Sequence, residues 1–510
     1  SMSYEVIWTK LLGLIVGPTT YSFTIVLVTF ITCLALGSML FGWLGDKTKR
    51  PVHLLLYTQL CAALLALLVS QIFGNSQLFY TKLLWFSKDS FALMHLLKAG
   101  SLFAFMLLPT LCLGATFPLV SKICTQSVAK VGHTIGVAYA INTVGAVLGS
   151  FCAGFVLIPW IGKERGLSLV VAIQLLNCLA VAAVVLRQRK RAALKFAPLA
   201  VPALAGLVLC LYWPHWDRYL LAKGKYHRFD QVNVDIAGIG WWEALIGGSD
   251  LFLDAQHDKL VYYGDGIGGF TTVLEQPRPF GGNEYVMANS GKPDASSHGD
   301  MMTQTLSAHF PMLFHPNPRS VMVLGLASGV TAGETLYYPI DRLDVIDISY
   351  QVVEGSDFFV PWNNNVLAHP KTHLIIQDGR AHLELTHQKY DVIISEPSNP
   401  WMAGLATLFT QEFFTLARDR LNDDGIFVQF MHAYQMDWSN FSLIGRTFTE
   451  VFPQSLLVTT NPSRIGLDYL LVGFKGEKNL DLQRTRAVSY THLRAHETSL
   501  HLVCRLLLEK

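Results

Sequence analysis

The stretch SVMVLGLASGVTAGETL, residues 320–336, decides the fold. Its apolar opening reads as a buried strand over 320–325. Gly325 ends that strand, Gly329 follows, and a helical pattern takes over. Glycines at such a turn let the backbone pass close to a ligand, and the helix behind them presents unpaired N–H groups. By itself a glycine turn after a strand is a weak signal, so its neighbours must carry the argument.

Downstream, short apolar strands recur at 342–348, 372–377, 390–395, 425–431 and 469–474, with helical patterns at 410–421 and 438–452 between them. Strands alternating with helices predict a mainly parallel, doubly wound α/β sheet. In such sheets ligands bind beyond the carboxyl ends of the strands. Three further motifs fall there. Asp347 closes LDVIDIS and can accept hydrogen bonds from both ribose hydroxyls. Asp378, followed by Gly379, can accept from an adenine amino group or cap a helix. Glu396 follows YDVIIS in the loop SEPSNPW, whose prolines fix the loop's shape and hold a carboxylate at the cleft. Together the strand-end motifs specify a nucleoside cleft with a carboxylate on its rim.

Upstream, strand-like runs at 259–263 and 269–274 flank the turn Gly264-Asp265-Gly266, a small β-rich lead-in within 214–319. Residues 285–475 resemble the spermidine synthase family of aminopropyltransferases. The resemblance rests on DMMTQTLSAHFPMLFHPNPRSVMVLGLASG and on YDVIISEPSNPWMAGLATLFTQEFF. It implies a Rossmann-like, methyltransferase-type domain over 320–486, decarboxylated S-adenosylmethionine as aminopropyl donor and a polyamine as acceptor. Position by position, Gln304, Gly325, Gly329, Asp347, Asp378 and Gly379 would face the donor, and Glu396 stands where the family has its catalytic Asp. The chain departs from the family at Leu326, Ala327 and Ser328 in the glycine loop, at Thr303, at Asn399 in place of a second acid, and at Ala403.

The chemistry suits these residues. Alkyl amines titrate near about 10.4 and are mostly protonated at neutral pH, so a carboxylate beside the nucleophile can attract, orient and deprotonate it. Asn399, Tyr434, Gln435 and Asp437 are acceptor-side candidates, or else ordinary loop polarity. Methyl transfer from S-adenosylmethionine is the enzymatic alternative. The absence of a basic residue from 325–331, where a donor carboxylate would need one, favours the decarboxylated donor. A polyamine sensor or transporter is the alternative of another class.

The first 213 residues read differently. Over the 510 residues, 51% are hydrophobic and 15% charged, too apolar for a wholly soluble protein. Six spans are expected near 19–45, 51–74, 97–120, 134–160, 166–186 and 196–213. Gly37, Gly42, Gly145, Gly149 and Gly154 suit close helix packing. The reading is a multi-pass helical anchor in a lipid bilayer, as in bacterial proteins that fuse such an enzyme to transmembrane helices, and it leaves a homo-oligomer open. Basic loops at Lys47, Lys49 and Arg50, at Lys122 and Lys130, and at Arg187, Arg189, Lys190, Arg191 and Lys195 favour the cytoplasmic side. Arg218, Lys223, Lys225 and Arg228 beyond the last span leave the side of the enzyme domain open.

The net charge of +2 gives no footing for nucleic acid. The eight cysteines form no C-x-x-C pair, and neither a disulfide framework nor a metal site is expected. The opening Ser1-Met2-Ser3 runs almost directly into apolar sequence, as though a helix preceded it. Residues 487–510, AVSYTHLRAHETSLHLVCRLLLEK, resemble a translated sequencing-adapter tail, and His492, His496 and His501 there are not taken as metal ligands.

Overall fold

The structure is a computed structural model that describes residues 1–125, 131–188, 193–224, 236–251, 257–266, 269–279, 281–397, 399–402, 404–434, 436–460 and 468–477. The adapter-like tail, Gln435, Ser398, Ala403, and Lys130, Arg189, Lys190, Arg191, Lys225 and Arg228 of the basic loops lie outside the described residues. The chain divides into two compact units. One is Ser1–Gln256 with the short segments Asp265–Gly269 and Ser290–Lys292; the other takes His257–Gly264, Phe270–Asn289 and the chain from Pro293 onward.

The first unit is helical: α1 (Met2–Val16), α2 (Thr20–Lys47), α3 (Pro51–Asn75), α4 (Gln77–Ser87), α5 (Phe91–Gly114), α6 (Thr116–Cys124), α7 (Val131–Phe151), α8 (Ile158–Gln188), α9 (Ala193–Tyr212) and the short α10 (Arg218–Ala222) and α11 (Trp241–Ile246). Among the described residues, four helical stretches are long and apolar enough to cross a membrane: Thr20–Lys47, Pro51–Asn75, Phe91–Cys124 and Val131–Arg187. The expected spans at 134–160 and 166–186 fall within the single 57-residue stretch Val131–Arg187. It bends at Gly162, where φ is 80°. The last expected span, 196–213, falls on α9.

Helix α1 was not expected, being shorter than a span. It buries Ile7, Trp8, Leu11 and Ile15 completely. Lys98 Nζ donates to the Val16 carbonyl at its end at 3.0 Å. That supplies both a partner and a positive charge to a helix C-terminus. Gly37 does what its size suggests: a Cβ there would meet the Leu111 carbonyl oxygen at 2.2 Å, so α2 and α5 touch through backbone. Gly145 faces open space.

The second unit opens with an antiparallel sheet in the order β1-β2-β3-β4, formed by β1 (Lys259–Asp265), β2 (Phe270–Pro277), β3 (Asn283–Asn289) and β4 (Lys292–Ser296). Then follow α12 (Met301–Phe314), β5 (Ser320–Leu324), α13 (Val330–Thr335), β6 (Arg342–Asp347), α14 (Tyr350–Ser356), β7 (Thr372–Ile376), α15 (Gly379–Leu385), β8 (Tyr390–Ser395), α16 (Gln411–Asp419), β9 (Leu421–His432), α17 (Trp438–Val451), β10 (Ser455–Thr459) and β11 (Asp468–Phe474). These strands form one sheet ordered β10-β11-β9-β8-β5-β6-β7. It is parallel from β7 to β9 and antiparallel where β11 pairs with β9 and with β10.

Both faces are covered, which is why the strands read as apolar runs rather than alternations. Along β5, Val321 and Val323 join one core with Val392, Ile394 and Phe310. Met322 and Leu324 join the other with Ile393, Phe413, Phe414 and Phe448. Each such side chain contributes about 1.5–3 kcal/mol by leaving water. The chain runs β5 to β6 to β7 toward one edge and returns to β8 on the other side of β5. The order therefore reverses between β5 and β8, and a crevice opens at their carboxyl ends.

Candidate active site

Gly325 and Glu396 leave the two strands that flank this crevice. Gly325 has φ 95° and Gly329 φ 80°, with Ala327 also left-handed at 44°. A Cβ on Gly325 would come within 2.8 Å of the Glu396 carbonyl oxygen, so the glycine lets the two loops meet. The Glu396 N–H donates to the Leu324 carbonyl at 2.9 Å, which fixes the start of the SEPSNPW loop against β5.

Asp347 lies one strand away, half-buried at the end of β6. Its Oδ2 accepts from the Leu326 N–H at 2.9 Å and its Oδ1 from the Ser349 N–H at 2.8 Å. The carboxylate thus braces the glycine loop. Burial pushes its pKa up to about 6, against the pull of those N–H donors and with a smaller push from Asp294.

Gln304, buried on α12, spans from the lead-in to the loop. Its Nε2 donates to the Ser296 carbonyl at 2.9 Å, and its Oε1 accepts from the Ser328 hydroxyl. Ser328 is one of the glycine-loop positions at which the chain departs from the resembling family, and its hydroxyl locks Gln304. Asp378 caps α15, its Oδ1 accepting from the Ala381 N–H at 2.8 Å. Gly379 lies against the end of β5, where a Cβ would meet the Leu324 side chain at 2.6 Å.

Glu396 is part-buried, and its carboxylate turns toward α12 and α13. The Thr331 hydroxyl donates to Oε1 at 3.0 Å. Burial raises the Glu396 pKa from 4.5 to about 7, and hydrogen bonds from the Ser307 and Thr331 hydroxyls hold it from rising further. A carboxyl group titrating there exchanges a proton at neutral pH, as a general base must.

The SEPSNPW loop and the end of β9 bring three rings together as an aromatic wall. The Trp401 and His432 rings meet edge to face at 4.6 Å, and Tyr434 lies 4.6 Å from His432 and 6.5 Å from Trp401. Asn399 is fully buried, its carbonyl accepting from the Met402 N–H at 3.1 Å. Asp437, by contrast, is exposed and caps α17, with Oδ1 accepting from the Asn440 N–H at 2.9 Å and from the Ser439 hydroxyl at 2.6 Å. Those donors hold its pKa below the usual carboxylate range. Gln435 lies outside the described residues.

Sequence reading missed several groups. Ser307 and Thr331 sit in helices whose pattern shows only apolar packing. Ser395 and Gln429 are register partners on β8 and β9, fully buried, and the Ser395 Oγ and Gln429 Oε1 have no hydrogen-bond partner among the described residues. The one available signal was a glutamine inside the apolar run GIFVQF.

The model of the spermine/spermidine synthase domain matches residues 301–483. A polyamine aminopropyltransferase of Thermococcus onnurineus is 32% identical over 207 residues, 37% of this chain and 70% of that protein. One from Thermotoga maritima is 24% identical over 254 residues, 48% of this chain and 84% of the relative. The crystal structure of a spermidine synthase in complex with the transition-state analogue AdoDATO matches 49% of this chain and 88% of its own, at 24% identity and a TM-score of 0.41.

Proposed function

The chain belongs to the spermine/spermidine synthase family, whose members are polyamine aminopropyltransferases, and is a transferase; from that premise we propose that it moves an aminopropyl group from decarboxylated S-adenosylmethionine to an amine, with Glu396 as general base. The observation that carries the proposal is the placing of Gly325, Asp347 and Glu396 on adjacent strand ends at the switch point, with Glu396 titrating at about 7.

In this reading Asp347 and the glycine loop hold the donor's nucleoside, and Gln304, Asp378 and Gly379 complete its surroundings. The loop 325–331 carries no cation to pair with a donor carboxylate, which supports the decarboxylated form. The acceptor amine enters between Glu396 and the wall of Trp401 and Tyr434, whose ring faces attract a cation. The Gln429 carbonyl oxygen and the Ser395 hydroxyl, together with Asn399, supply polar contacts deeper in. The amine nitrogen attacks the methylene beside the sulfonium. A C–N bond forms, the C–S bond breaks with its electron pair going to sulfur, and methylthioadenosine leaves. The proton lost by nitrogen passes to Glu396.

The four long apolar helical stretches support a multi-pass anchor for this domain in a bacterial cell membrane. The test of the reaction is product analysis by mass spectrometry, with the full chain in detergent, each of the two sulfonium donors and a panel of diamines and polyamines. The proposal expects methylthioadenosine and an aminopropylated amine from the decarboxylated donor. A methylated amine with S-adenosylhomocysteine would replace it with methyl transfer.

A further inference from the structure

A general base must be accommodated in both of its protonation states, and the Thr331 hydroxyl is placed to serve both. The Thr331 Oγ lies 3.0 Å from Glu396 Oε1 and 3.0 Å from the Gln304 carbonyl oxygen. A hydroxyl has one proton to donate and lone pairs to accept with. When Glu396 is ionised, the Thr331 proton points to Oε1. When Glu396 is protonated, its own O–H points to the Thr331 Oγ, and the Thr331 proton swings to the Gln304 carbonyl. Thr331 is almost fully buried, so water does not take over either role.

We propose that Thr331 is a positioning residue for the transfer, its hydroxyl alternating between Glu396 and the Gln304 carbonyl so that the site holds the base in place before and after it takes the proton. This rests on the assignment of Glu396 as the base. A buried polar clamp also joins α12 and α13 close to Thr331. On α12, His309 is fully buried, and its Nε2 lies 2.9 Å from Glu334 Oε2 on α13. Its Nδ1 lies 2.9 Å from the Tyr338 hydroxyl. Glu334 stands one helical turn beyond Thr331, so the clamp sets the height of Thr331 against α12.

Other titratable groups at this end of the sheet or on the helices against it are His309 on α12, Glu334 on α13, Asp347 at the end of β6, Asp378 after β7, His432 and Tyr434 at the end of β9, and Asp468 at the start of β11, which accepts from the Thr303 hydroxyl at 3.1 Å. Tyr390 and Asp391 on β8 and Asp423 and Asp424 on β9 sit at the opposite end of their strands. The two hydroxyls and burial are what act on Glu396 itself.

The test compares Thr331→Val, which keeps the shape and loses the hydroxyl, with Thr331→Ser, which restores it. In the full chain, the ionisation of Glu396 is read by NMR titration of carboxyl-labelled glutamate, the signal being assigned by its loss in Glu396→Gln. The proposal expects the Val variant to titrate about one pH unit higher, the excess of a hydrogen bond to the charged carboxylate over one to the neutral acid, and the Ser variant to return to wild type. The acidic limb of kcat against pH should move by the same amount while KM for the donor stays put. An unmoved titration in the Val variant overturns the proposal. So does a rate loss of equal size at every pH, which is what a merely structural residue would give. The titration needs no turnover, so a chain that makes no aminopropylated product removes the reaction assigned above and still leaves the hydroxyl's role decided by the NMR result.

Discussion

Replacing Glu396 with glutamine separates three consequences that the structure ties to one carboxyl group. Glutamine keeps the shape and can still accept from Thr331, but it carries no charge and takes no proton. Loss of a general base typically costs about 10²–10⁴-fold in rate. Affinity for methylthioadenosine should stay close to wild type, because the nucleoside is assigned to Asp347 and the glycine loop. The third consequence concerns stability. Glu396 titrates at about 7 when folded against 4.5 unperturbed, so the folded chain holds this proton more tightly than the unfolded one. Its contribution to stability is full below about pH 4.5 and is lost as pH rises through about 7, by at most about 3 kcal/mol. Glutamine has no proton to lose, so Glu396→Gln should remove that decline and melt higher than wild type at pH 8. Thermal melts of both proteins from pH 4 to 8, paired with initial rates and calorimetry of methylthioadenosine binding, check all of this. A variant with wild-type rate, or one whose stability declines with pH as steeply as wild type, would refute the reasoning.

Three other outcomes follow from the same geometry. Asp347→Ala should weaken methylthioadenosine binding by about 1.5–3 kcal/mol in calorimetry. Wild-type binding should itself weaken below about pH 6, where Asp347 takes up a proton, and that dependence should vanish in the variant. Gly325→Ala puts a Cβ 2.8 Å from the Glu396 carbonyl oxygen at a φ of 95°, so it should cost about 1–3 kcal/mol in a denaturation midpoint and lower kcat by displacing the loop. Asp437→Asn keeps the cap of α17 and should leave both stability and the amine KM unchanged; a raised KM would give Asp437 an acceptor role.

Much of the α/β unit was legible because its central strands are buried on both faces, while the edge strand β7 is half-exposed and still reads as apolar. Continuous apolar runs bounded by glycine and polar turns located β5, β6, β7, β8 and β11 to within a residue or two. β9 begins earlier than expected, at Leu421, because that residue pairs with Tyr390 across a register shift. β10 escaped notice because its residues are half-exposed and lack a clean alternation. In the helical unit, hydropathy found the apolar stretches and left a gap at 161–165, where the chain bends at Gly162. The separate α1 is set by packing, as Trp8 and Lys98 illustrate. For the site, strand-end position sufficed to pick Gly325, Asp347 and Glu396. Ser307, Thr331 and the His309–Glu334 clamp depend on how α12 and α13 meet, and no local pattern records that. Asp378 and Asp437 both cap helices, a role the sequence offered for Asp378 and not for Asp437.

The most direct test of the central claim follows a label carried on the aminopropyl group of decarboxylated S-adenosylmethionine through a single turnover, with the full chain in excess over donor and an amine present. The account predicts that wild type transfers the label to the amine nitrogen, while Glu396→Gln binds the donor equally well and transfers it at least about a hundredfold more slowly. Label remaining on the donor in wild type for every amine, or moving at the same rate in both proteins, would contradict it.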